Sequence, residues 1–61
     1  MKRYVKELAL DMVSKTNGMQ KEYKYRYMRE VKRILAYAEQ GLITDFEAVT
    51  TLVKLPEKIG L

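Results

Sequence analysis

The stretch from Met19 to Gln40, MQKEYKYRYMREVKRILAYAEQ, constrains the fold of this chain more than any other. Within it Tyr23, Tyr27, Val31, Ile34, Leu35 and Ala38 recur at steps of three and four, and neither glycine nor proline interrupts them. At about 100° per residue these positions fall into one apolar sector, so the spacing predicts a helix over roughly residues 20–40, buried along one side. The opposite side carries Glu22, Arg26, Arg29 and Arg33 in a stripe, flanked by Tyr25 and Tyr37, with Lys21 and Lys32 at one margin. Lys24 is the one charge inside the apolar sector. It falls early enough in the helix for its stem to lie along apolar surface while the ammonium reaches water.

Charge is concentrated in the same place. Between Gln20 and Arg33, six cations (Lys21, Lys24, Arg26, Arg29, Lys32 and Arg33) face only Glu22 and Glu30, which accounts for the whole formal charge of +4. The remaining acidic and basic residues cancel.

On either side of this helix the sequence predicts a shorter one. Over residues 3–16, Val5, Leu8, Ala9, Met12 and Val13 make an inward stripe and Lys6, Glu7, Asp11, Ser14 and Lys15 an outward one, with Tyr4 and Leu10 at the edges. Lys15 suits the negative end of that helix, and Asn17-Gly18 supplies residues that accept a left-handed backbone, so the helix stops there. The link to Gln20 is short enough to require an antiparallel pair. At about 1.5 Å per residue the first helix covers only part of the second, which needs a further partner. Gly41 is placed as a C-terminal cap, with Leu42 positioned for the apolar contact that accompanies one. Thr44-Asp45-Phe46-Glu47 matches a capping box, with Ile43 and Ala48 at the staple positions. A third helix is therefore expected over residues 45–54. Its predicted buried face is Phe46, Val49, Leu52 and Val53, and Leu55-Pro56 is expected to end it, because a residue before proline is pushed out of the helical region. The tail PEKIGL is expected to fray or to add a turn that lays Ile59 on the core. The fold class is all-α: one domain over residues 1–61, a compact three-helix unit of short helix, long central helix and short helix joined by short loops.

A chain of 61 residues sits near the lower limit for a single core and buries only about 60% of the surface its unfolded form exposes. With no cysteine, neither a disulfide nor a thiolate metal site reinforces it. Well-packed helices or self-association remain, and five Tyr and four Met are more amphipathic surface than so small a core hides, which makes a homodimer one expectation.

Several function classes are disfavoured. There is no His and no Cys, and Ser14, the only serine, has no general base in prospect, so an enzyme is not expected. No cofactor or metal site is expected either: Glu7 and Asp11 form an acidic pair without the further oxygen ligands of a calcium loop. The segment MKRYVKELALDM places Glu7 and Asp11 where a secretory signal needs an apolar run, and no run approaches the roughly 20 residues of a membrane span. A soluble, cytoplasmic protein without membrane contact is the expectation.

The candidate binding residues are Lys21, Tyr25, Arg26, Arg29, Lys32, Arg33 and Tyr37. Guanidinium groups hold carboxylates and phosphates with two hydrogen bonds each, and tyrosines stack on bases or pack against a protein partner. An ordinary solvated face is the competing explanation, with Glu22 pairing Arg26 and Glu30 pairing Arg33 along the helix. As a functional face it fits an acidic surface on a protein partner. Nucleic acid is the alternative, though the short third helix, which follows the turn as a recognition helix would, exposes Asp45, Glu47, Thr50 and Thr51. A self-associating structural protein is the third reading. The layout of long helix, Gly41, capping Thr44 and short helix resembles the small sporulation aspartyl-phosphatase hairpins of Gram-positive bacteria. Their Ser-Gln-Glu-Leu-Asp run is absent from FEAVTTLVKL, so the resemblance carries no activity across. In length and composition the chain is also similar to short helical proteins from Gram-positive phages and mobile elements.

Overall fold

The computed structural model describes residues 1–58 and contains three helices: α1 (Arg3–Ser14), α2 (Lys21–Glu39) and α3 (Asp45–Lys58). Both connections are short, so α1 and α3 each run antiparallel to α2 and parallel to one another. A hydrogen bond from the Lys2 amide to the Asp45 carboxylate, at 3.2 Å, ties the starts of α1 and α3 together. Among the described residues there is no strand.

Local chemistry accounts for where the helices begin and end. α1 stops at Ser14, two residues short of the expected end at 16, because the chain tightens into successive turns there. The amides of Thr16, Asn17 and Met19 bond the carbonyls of Val13, Ser14 and Thr16 at 3.0, 3.2 and 3.1 Å. Gly18 then takes a φ of 89°, in the left-handed region. Thr16 is buried in this turn, and its hydroxyl donates to the Val13 carbonyl at 2.6 Å, so the polar group is not left unpaired. α2 ends in a Schellman motif: the Leu42 amide bonds the Tyr37 carbonyl at 2.9 Å and the Gly41 amide the Ala38 carbonyl at 3.2 Å, with Gly41 at a φ of 76°. Leu42 stays largely exposed, and Ile43 is the residue that packs on the core. α3 begins with the reciprocal capping box: the Thr44 amide donates to the Glu47 carboxylate at 2.9 Å, and the Glu47 amide to the Thr44 hydroxyl at 3.1 Å. The Thr44 amide, and secondarily the Thr44 hydroxyl beside it, hold the Glu47 carboxyl below the usual glutamate range.

The core is Val5 and Ala9 of α1, Tyr27, Val31, Ile34 and Ala38 of α2, and Ala48, Leu52 and Leu55 of α3, with Leu8, Met12, Val13, Tyr23, Leu35, Ile43 and Val49 packed around it. The α1 and α2 faces follow their sequence periodicity. Two expectations for α3 do not hold. The helix runs through Pro56 to Lys58 instead of ending at Leu55. A proline inside a helix costs about 3 kcal/mol. Against this, the added turn buries Leu55, worth about 1.5–3 kcal/mol, and packs Pro56 beside Met12 and Tyr27. The buried face is also turned about the helix axis. Ala48, Leu52 and Leu55 point inward, whereas Phe46 is 77% exposed and Val53 59% exposed. Ala48 has no exposed surface at all, and its single methyl allows the close helix approach that a phenylalanine would prevent. The expected contact of Ile59 lies outside the described residues.

Candidate docking face on the central helix

α2 has to be buried on one side only, and its amphipathic pattern leaves the other side open. Lys21, Tyr25, Arg26, Arg29, Lys32, Arg33 and Tyr37 are all exposed, with Tyr25 at 58% and Tyr37 at 43%. From Lys21 to Tyr37 they extend along about 24 Å of helix. Arg29 stands near the middle of the outward side, opposite the buried Tyr27 and Val31.

The neighbouring helices divide these residues between two grooves. Arg33 and Tyr37 stand with Glu30 on the rim of a groove of about 250 Å³ between α2 and α3, whose apolar floor is Ile34, Ile43 and Leu55 and whose far rim is Thr51. Lys32 borders a groove of about 230 Å³ between α1 and α2, otherwise lined by apolar side chains such as Leu10, Val13, Met28 and Leu35. Lys21 lies in the first turn of α2, where no side chain caps the helix and the dipole is positive, so an anion there is attracted twice.

Of the two ion pairs that an ordinary solvated face would supply, Arg33 approaches Glu30 at 3.9 Å, the arginine exposed and the glutamate half-buried. Such a contact is worth at most about 1 kcal/mol. Among the described residues, Arg26 and Arg29 have no carboxylate within 4.0 Å. The acidic residues of α1 are occupied instead: Glu7 by Arg3 at 3.9 Å and Asp11 by Lys15 at 3.3 Å. Lys24, half-buried, reaches over the loop and donates to the Asn17 side-chain oxygen at 3.0 Å, which ties the start of α2 to the preceding turn.

A cavity of about 240 Å³ between Met12, Thr16, Met19, Tyr23, Tyr27 and Pro56 is not legible from any one helix. The rings of Tyr23 and Tyr27 are 6.0 Å apart and tilted by 34°. Burial, and secondarily the Tyr23 hydroxyl beside it, push the Tyr27 phenol above its usual pKa. The Tyr23 hydroxyl is itself buried, with no hydrogen-bond partner among the described residues. The members of this cavity converge from three elements. Spacing within α2 assigns Tyr23 and Tyr27 to the core but gives no sign of the space beside them. The same limit hid Glu30, Ile43 and Thr51 as neighbours of Arg33 and Tyr37.

No described helix is long and apolar enough to cross a membrane. Comparison with protein-family models, with curated proteins and with solved structures finds no match for this chain.

Proposed function

We propose that this protein is a small non-enzymatic regulator that docks the outer face of α2 on an acidic surface of a protein partner. The observation that carries the reading is the unpaired state of Arg26 and Arg29 among the described residues, on a face shared with exposed Tyr25 and Tyr37. Arginine and tyrosine dominate interface hot spots: their planar groups give large contact area and directed hydrogen bonds at modest entropic cost. The groove beside Arg33 and Tyr37 adds a place for an apolar anchor next to the cations, and a buried apolar centre within a polar rim is how protein interfaces are built. The alternative partner, nucleic acid, would use the same cations, but α3 offers it Asp45 and Glu47 where a recognition helix would be.

The test is the variant Arg26→Glu/Arg29→Glu/Arg33→Glu. All three side chains are exposed, so helicity by circular dichroism should match wild type, while a partner captured by the wild-type protein should be lost. Unchanged capture by the variant overturns the assignment. Titration with duplex and single-stranded oligonucleotides across a salt series decides the partner class. Tight binding with a steep salt slope moves the function to nucleic acid, and no binding at low salt eliminates that alternative.

A further inference from the structure

We infer that two copies of this chain associate through the side of the bundle facing away from α2, formed by Tyr4 and Leu8 of α1 and Phe46, Val49 and Val53 of α3. Phe46 is the chain's only phenylalanine and, at 77%, the most exposed large apolar side chain among the described residues. Val53 and, at 50% exposure, Tyr4 accompany it, with Leu8 and Val49 half-buried beneath.

Helix geometry places these five residues together. On α3, Thr51 borders the groove shared with Arg33 and Tyr37 of α2, while Asp45 and Pro56 are turned toward α1, the first bonded to Lys2 and the second beside Met12. At 100° per residue, Val49, Val53 and Phe46 continue this rotation past α1 and out to solvent. On α1, Leu10 and Val13 border the groove shared with Met28 and Leu35 of α2, and Leu8 and Tyr4 lie on the opposite flank. Because α1 and α3 run parallel with joined starts, both sets line one seam.

Charge and area select the occupant. Among the described residues the charges at the margin of this seam are answered locally, Asp11 by Lys15 at 3.3 Å and the Asp45 carboxylate by the Lys2 amide at 3.2 Å, so a charged partner finds little complement here. A second copy presents the same neutral apolar strip. A two-fold contact through it turns the two basic α2 faces outward on opposite sides, where their like charges stay apart. The molecule measures 32 × 19 × 15 Å, so even a fully covered long side buries only about 500 Å² per subunit, which places the dimer among weak, concentration-dependent interfaces. An apolar strip of this kind on a chain with so small a core is the usual mark of an interaction surface.

Sedimentation equilibrium of the full chain from micromolar to millimolar concentration tests the proposal. Wild type should sediment as a dimer at the upper end, and Phe46→Glu should weaken the dimer by at least roughly 30-fold, as expected for a hot-spot side chain. Leu10→Glu serves as the control, since Leu10 is 70% exposed on the other flank of α1, and it should leave the dimer intact. Val53→Lys repeats the test should Phe46→Glu lose helicity by circular dichroism. A wild-type monomer at millimolar concentration overturns the proposal. So does a dimer that survives Phe46→Glu and Val53→Lys, or one that Leu10→Glu disrupts equally.

Discussion

The two long sides of this bundle differ in what they leave to the solvent. The outer side of α2 exposes arginine, lysine and tyrosine, and the opposite side exposes phenylalanine, valine and tyrosine. Water solvates a guanidinium well, so the basic side is stable when free and owes any partner to electrostatic complementarity. An exposed phenyl ring and valine leave apolar surface in water at about 25 cal/mol per Å², so the other side is stabilised by cover of any well-fitting apolar kind. The two proposed contacts should therefore respond to different variables: ionic strength on the one side, concentration and shape on the other.

The largest effect strikes both sides at once. Leu52 has no exposed surface and lies in the core where the three helices meet, so Leu52→Ala should cost about 2–5 kcal/mol, much of the stability of a domain this size. Chemical denaturation should show a variant largely unfolded in buffer, and both association activities should disappear together. A well-folded Leu52→Ala protein would mean that the two surfaces do not share one core.

Salt separates the sides. Raising ionic strength from low to about 0.5 M shortens the Debye length to a few ångströms, so partner binding through α2 should weaken markedly. The dimer through the α1–α3 seam should hold or tighten, since it buries apolar surface between copies of like net charge. Parallel binding and sedimentation series measure this, and a common salt response would break the distinction.

A smaller effect enters through the start of α3. Thr44→Ala removes the hydroxyl that caps α3 beside Phe46 and should cost about 1 kcal/mol in denaturant titration, with α2 docking unchanged. Acid acts through the same box. Because the Glu47 carboxyl titrates below its ordinary value, its contribution is complete above the unfolded glutamate pKa and is lost as pH falls through the lower folded one. The denaturation midpoint of wild type should therefore drop in acid more than that of Glu47→Gln.

The candidate face on α2 was legible in advance because it depends on one helix. Once Tyr27, Val31, Ile34 and Ala38 turn inward, the 100° rotation per residue leaves Arg26, Arg29 and Arg33 nowhere but outside. What surrounds that face was not legible. Thr51 reaches Arg33 and Tyr37 only because α3 lies where it does, and no spacing in α2 encodes that position. The departure in α3 has two sources. Ending the helix at Leu55 removed one residue that marks the true inward direction, and Ala48 entered only as a staple position, so the remaining pattern pointed toward Phe46 and Val53.

The sequence alone therefore determined mainly features whose cause acts within about one helical turn. These are the three helices, the glycine cap at Gly41, the capping box at Thr44 and Glu47, and the outward cations of α2. Tertiary packing decided the rotation of α3, its passage through Pro56 and the exposure of Phe46. α3 carries apolar residues around about half of its circumference, so its own pattern allows more than one face to be buried. Only the fit of small Ala48 and long Leu55 against α1 and α2 separates them, because close approach and burial are properties of the assembled helices and not of any one of them.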